Sequence, residues 1–185
     1  GRGASRGRAG LISASEGWPR GGIGYVAPRL WANRNLVLGG VAIPHPLGLD
    51  GHSDADVICH AIADALLGAI GESDIGHHFP NTDEDIRGIS SIAILERVTA
   101  VLRAQPARIV DVAATLIAEA PKIAPHLSLQ RERLARALQV VVGRVSPQPP
   151  QHGGMGARGR GEGTAGMAGG GGEEAAVGSG ADTDR

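Results

Sequence analysis

Between Gly51 and Asp83 the chain gathers histidines and aspartates around one stretch of helical periodicity. These residue types hold metals and orient phosphates. Asp56, His60 and Asp64 follow at i, i+4 and i+8, so on a helix they share one stripe and can converge on a small site. A neutral imidazole is a metal ligand, and a neighbouring carboxylate sets its tautomer. A solvated, acid-rich helix face carries the same pattern, so the flanks have to decide between the two. Before the stripe stands Gly51-His52-Ser53-Asp54, a turn with side-chain donors beside a helix N-terminus, where backbone N–H groups and the macrodipole favour an anion. After it comes a polar loop, Asp74-Ile75-Gly76-His77-His78-Phe79-Pro80-Asn81-Thr82-Asp83, broken by Gly and Pro. Polar groups therefore flank the helix at both ends.

The elements that must position these groups follow from periodicity. Ser53 with Asp56 three positions on reads as a weak capping box, and Ile58, Ile62, Ala65, Leu66, Ala69 and Ile70 recur at helical spacing, predicting a helix over 54–70 with one face in the core. A strand is expected over 36–43 and a helix over 90–104 with Ile94, Val98, Val101 and Leu102 inward. A buried strand over 109–118, a helix over 128–138 and a strand over 140–145 complete the order. Strands alternating with helices predict an α/β (α+β) single domain, a mixed sheet with helices on one face. Pro147, Pro149 and Pro150 oppose a continuous central strand near the C-terminus, because proline lacks the N–H a ladder requires.

A chain of 185 residues suffices for one core. Its formal net charge of −1 and its scarcity of aromatics for base stacking make a weak case for a nucleic-acid binder, and no run is long and apolar enough for a membrane span. Residues 1–22 form an Arg/Gly/Ser-rich arm, with Arg2, Arg6, Arg8 and Arg20 against Glu16, expected to be disordered or a targeting segment. Beginning without Met, the chain reads as a fragment or a processed product. Residues 164–185 are rich in Gly, Ala and acids without apolar periodicity and are expected to be a disordered tail. The lone Cys59 excludes an intrachain disulfide framework and reads as a helix-core cysteine in a reducing compartment. Few aromatics are available to fill a core, which favours association with other chains.

HSDADV, then His60, then DALLGA, then DIGHHFPNTD resemble the 2-C-methyl-D-erythritol 2,4-cyclodiphosphate synthase family. The similarity extends through Leu36-Val37-Leu38-Gly39-Gly40-Val41, Ile43-Pro44, Ala114 to Lys122, Pro125-His126 and Gly159-Arg160-Gly161-Glu162-Gly163. Several motifs in order at the right spacings carry a specificity that none has alone. The resemblance implies a cyclodiphosphate synthase-like domain over 23–163. It implies a cytidine diphosphate substrate, 4-diphosphocytidyl-2-C-methyl-D-erythritol 2-phosphate, whose 2-phosphate attacks the proximal phosphorus and expels CMP. It also implies a divalent metal (Zn, Mn or Mg) and a homotrimer with active sites between subunits. The compartment would be the cytoplasm in a bacterium and the plastid stroma in a plastid-bearing eukaryote.

By the same resemblance His60 is the metal ligand and His52 the transition-state stabiliser, with His52 and Ser53 contacting the methylerythritol phosphate. Asp74, Ile75 and Gly76, then Phe79, Pro80, Asn81, Thr82 and Asp83, would line the substrate pocket, and Arg160 in its GRGEG turn would reach a phosphate. Ala118, Glu119, Ala120, Pro121, Lys122, Ile123 and Ala124 would hold the cytidine nucleotide. Lys122 is the single lysine beside seventeen arginines, kept where the family places an ammonium near the phosphates.

Two departures stand against this match. Where the family has a Gly-aromatic-Asp-x-His segment with two metal ligands, this chain reads Gly24-Tyr25-Val26-Ala27-Pro28, and neither Val26 nor Pro28 can ligate an ion. Where the family has a Thr-rich turn ending in Glu, this chain has a Pro- and Gly-rich segment over 147–157. Because the match decays at both ends while His52, His60 and Lys122 persist, altered ends account for the pattern better than scattered loss in a dead enzyme. The alternative is a catalytically impaired member that binds a nucleotide or isoprenoid diphosphate without turnover. A generic metal-dependent phosphohydrolase would need a second His and Asp cluster, and His45 and His126 each stand alone.

Overall fold

In the computed structural model, which describes residues 19–27, 29–51, 53–80, 82–84, 88–117, 121–148 and 165–174, four strands form the main sheet in the order β1 (Pro19–Val26), β8 (Ala165–Glu174), β6 (Ala107–Ile117), β7 (Val145–Gln148). Strand β8 runs antiparallel to both β1 and β6, and β6 runs parallel to β7, so the sheet is mixed as the alternation of elements predicts. His52, Asn81, Ala118, Glu119, Ala120, Arg160 and Pro28 lie outside the described residues.

Register explains which side of the sheet is covered. Val112, Ala114 and Leu116 of β6 are buried, and Val145 and Pro147 of β7 pair with Val112 and Ala114 on that same face. Through β8 that face continues to Gly22 and Gly24 of β1. Helix α1 (Val57–Ala69) lies against these glycines: a Cβ on Gly22 would stand 1.8 Å from the Ala65 carbonyl oxygen, and one on Gly24 1.9 Å from that of Ala61. Glycine on the strand and alanine on the helix let the two backbones touch, which any larger residue would prevent. Helix α3 (Ser91–Arg103) packs on the outer side of α1, and α4 (Leu127–Leu138) packs on α3 and β7. Helix α1 is thus apolar on nearly all sides, and only His60, Asp64 and Gly68, one stripe at i, i+4 and i+8, escape full burial.

The core is aliphatic, built on Leu38, Ile58, Ile62, Leu66, Leu95 and Leu134. Two small sheets flank the N-terminus of α1: β2 (Leu30–Ala32) with β5 (Leu47–Leu49), and β3 (Leu36–Leu38) with β4 (Val41–Ile43).

Four expectations are corrected. The strand over 36–43 is the β3–β4 hairpin, because Gly39 and Gly40 both take positive φ (58° and 74°), the conformation a two-residue turn between right-twisted strands requires. The strand expected over 140–145 is a 3-10 turn, Val142–Arg144, with β7 starting at Val145. Pro147 is tolerated in β7 because that strand lies at the sheet edge. Residues 165–174, expected in a disordered tail, form the strand between β1 and β6, and residues 19–22, expected in the arm, belong to β1. Backbone ladders on both sides hold β8, and these need no apolar side-chain pattern.

Candidate functional site

The loop entering α1 carries two carboxylates that face opposite ways. Asp56, not Ser53, is the N-cap: its Oδ1 accepts from the N–H groups of Ile58 (3.0 Å) and Cys59 (3.2 Å). The same carboxylate accepts from the hairpin turn, from Gly39 N–H at 2.9 Å and Gly40 N–H at 2.6 Å, and from the Cys59 thiol at 3.2 Å. Fully buried, it is pushed above the usual carboxylate range by desolvation, with the N–H groups of Gly40 and Gly39 pulling the other way. Asp56 therefore ties the hairpin to the helix and leaves the polar stripe to His60 and Asp64.

Ala55 precedes it with φ 53°, a left-handed backbone that turns the chain between Asp54 and Asp56. Asp54 consequently points to α3. It accepts from Ser91 N–H at 3.1 and 3.2 Å and from the Ser91 hydroxyl, while Ser90 caps the helix through Ala93 N–H at 3.2 Å. Ser91 is fully buried, and its Oγ lies 3.1 Å from His60 Nε2 and 3.5 Å from Ser53 Oγ. The carbonyl of Ser53 accepts from Arg34 at 2.8 Å. Asp54, Ser91, His60 and Ser53 form one hydrogen-bonded group where α1 meets α3.

Asp64, one turn beyond His60, accepts from Ile75 N–H at 2.9 Å and so docks the short helix α2 (Ile75–His78) against α1. Asp74 caps α2 through His77 N–H, also at 2.9 Å. Ile75 and Phe79 pack on the core, Gly76 and Pro80 are exposed, and Asp83 N–H donates to Pro80 O at 2.9 Å as the chain turns past exposed Thr82. Lys122 is exposed on the loop after β6, between half-buried Pro121 and fully buried Ile123, ahead of exposed Ala124. Ser53 and His60 are thus brought into one group, the 74–83 segment is anchored beside it through Asp64, and Lys122 stands on a separate loop. A surface cavity of about 440 Å³ among Leu102, Arg103, Ile109, Leu138, Val140 and Arg144 shares none of these residues.

The donor set does not make a metal centre. Among the described residues no three His, Cys, Asp or Glu side chains gather to hold an ion, and Val26 joins the core as an apolar residue where the resemblance expects a ligand. One imidazole falls short of the three protein ligands a catalytic zinc site uses. What the group offers instead is a half-buried imidazole whose orientation is fixed by a buried serine hydroxyl, with a half-buried Ser53 beside it.

Sequence reasoning missed Ser91. Its place at a helix start is visible in the Ser90-Ser91 pair, but nothing in spacing links it to His60, 31 residues away.

Residues 20–169 match the YgbB family. A 2-C-methyl-D-erythritol 2,4-cyclodiphosphate synthase of Syntrophotalea carbinolica is 49% identical over 142 residues, 77% of this chain and 87% of the relative. The bifunctional IspDF of Campylobacter jejuni superposes with a TM-score of 0.81 at 27% identity, over 86% of this chain and 43% of that larger protein. The IspF of Plasmodium falciparum, solved as a CDP complex, superposes with a TM-score of 0.75 at 26% identity, over 87% of this chain and 99% of its own.

Proposed function

The chain belongs to the YgbB family, and from that premise we propose that it is a 2-C-methyl-D-erythritol 2,4-cyclodiphosphate synthase, a CMP-releasing lyase of isoprenoid biosynthesis by the methylerythritol phosphate pathway. The substrate is 4-diphosphocytidyl-2-C-methyl-D-erythritol 2-phosphate. An oxygen of its 2-phosphate forms a bond to the proximal phosphorus of the diphosphate, the bond from that phosphorus to the CMP oxygen breaks, and the cyclic diphosphate and CMP result. Phosphoryl transfer of this kind asks the protein mainly to position groups and offset charge on oxygens. The observation that carries the reading is 49% identity to a synthase across 87% of that enzyme's length.

Ser53, with His52, meets the methylerythritol phosphate, and His52 steadies the transition state. The wall of the pocket is Asp74, Ile75 and Gly76 with the segment 79–83, and Arg160 reaches a phosphate. The loop 118–124 takes the cytidine nucleotide, Lys122 standing at its phosphates. Support for the 74–83 wall comes from Asp64, which holds α2 to the helix bearing His60. A divalent metal (Zn, Mn or Mg), as the family uses, would find His60 as its ligand here; the described residues do not complete its shell, and no step is assigned to it. A homotrimer is supported by the side of the sheet away from α1, where, among the described residues, Ile23 is 80% and Tyr25 49% exposed. No helix among the described residues is long and apolar enough to cross a membrane. By the family resemblance, the reaction would run in the cytoplasm of a bacterium or the stroma of a plastid.

Incubating the full chain with the cytidine diphosphate substrate and following CMP by chromatography and the cyclic product by ³¹P NMR tests the assignment. Equimolar CMP and cyclic diphosphate are expected. Binding of CDP with no CMP formed would replace the synthase by a nucleotide-binding member without turnover.

A further inference from the structure

A buried hydroxyl has one proton to give and two lone pairs to fill, so its partners determine the direction of every hydrogen bond around it. Ser91 Oγ has three neighbours: Asp54 Oδ1, His60 Nε2 at 3.1 Å and Ser53 Oγ at 3.5 Å. A carboxylate only accepts, and the Asp54 contact is the closest of the three, so the Ser91 proton goes to Asp54. What remains on Ser91 Oγ is acceptor capacity, and the imidazole is the nearer of the two groups that could use it. The Ser91 N–H, at 3.1 and 3.2 Å from the two Asp54 oxygens, holds the carboxylate in that orientation, and full burial of Ser91 keeps water from competing.

We propose that Ser91 is a positioning residue of the catalytic site, whose hydroxyl, committed as a donor to Asp54, accepts the Nε2–H of His60 and leaves Nδ1 as the unprotonated, ligand-accepting nitrogen of that imidazole. A neutral imidazole carries one N–H, and the hydrogen bond at one ring nitrogen sets the role of the other. Asp54 thus orients His60 across a serine rather than directly. The catalytic consequence rests on the proposed synthase activity; the tautomer does not.

The test is long-range ¹H–¹⁵N correlation on the full chain with ¹⁵N-labelled histidine, in alkaline buffer where imidazoles are neutral, with His60 assigned from the His60→Gln spectrum. The wild type is expected to show the Nε2–H tautomer at His60. Ser91→Ala is expected to shift the population toward Nδ1–H. Asp54→Ala, which removes the acceptor of the Ser91 proton, frees that proton for Nε2 and is expected to shift it the same way. In turnover, Ser91→Ala is expected to lower kcat by about 10- to 100-fold, as loss of an orienting partner does, with the CDP dissociation constant unchanged. A wild-type His60 in the Nδ1–H form, or a tautomer indifferent to both substitutions, overturns the proposal. Because the tautomer is read without substrate, a chain that releases no CMP sinks the functional assignment and leaves this inference standing or falling by itself.

Discussion

Asp54, Asp56 and Asp64 are the same chemical group in three settings, and their partners divide the work among them. Asp56 accepts only from backbone N–H groups and a thiol, Asp64 from the N–H that starts α2, and Asp54 alone reaches a side chain that touches His60. Cys59 shares the Asp56 setting. Burial pushes its thiol well above the ordinary value, and the Asp56 carboxylate adds to that shift. Thiolate is the reactive form, so the native chain should resist a thiol-alkylating reagent at neutral pH and react stoichiometrically once unfolded in urea, as read by mass spectrometry. Lys122, exposed and single in kind, should act only through a bound anion. Lys122→Ala is expected to weaken CDP binding by roughly 1.5–3 kcal/mol, the worth of a charge-assisted hydrogen bond, in a calorimetric titration. Unchanged affinity would remove it from the nucleotide site.

At the scale of elements, Asp56 joins a helix start to a hairpin turn. Asp56→Ala removes a cap, worth about 1 kcal/mol, and leaves the Gly39 and Gly40 N–H groups without their acceptor, adding roughly 1–3 kcal/mol. Urea unfolding should report the sum as a lowered midpoint. Since the folded chain holds the Asp56 proton more tightly than the unfolded chain, the contribution of this carboxyl to stability falls as pH rises from about 3.8 through its raised value and is level above. The alanine variant should lack that slope. The helices were legible because 3.6-residue periodicity is local: α3 spans Ser91–Arg103 within the predicted 90–104. The hairpin and β8 were not, since a glycine pair reads equally as turn or strand until its φ angles are known, and a glycine-rich strand has no side-chain period to read.

Across the whole molecule, the sheet presents one face to α1, and none of the described helices lies over the other. On that other face Ile23 and Tyr25 of β1 align through β8 with Ala113 and Thr115 of β6. An isoleucine that is 80% exposed in one chain is stabilised by a neighbour that covers it, and three chains packed sheet to sheet would do so. If the proposed trimer forms, Ile23→Glu is expected to leave far-UV circular dichroism unchanged and to give a monomer in light scattering after size exclusion. In that proposed assembly the sites would lie between subunits, and CMP release should fall with the trimer. A wild-type chain that is monomeric at micromolar concentration would contradict the trimer.

The residue types of the site, their order, and the family were determined by the amino-acid sequence alone, since side-chain chemistry and spacing along a helix are local properties. Tertiary structure decided which of those residues act together: it took Asp56 out of the stripe by burying it in the hairpin turn, and it brought Ser91 across from another helix to His60. It also made a central strand of residues that composition assigns to a tail. The physical reason is common to all three. Hydrogen-bond partners distant along the chain are chosen by packing, and packing leaves no period in the sequence.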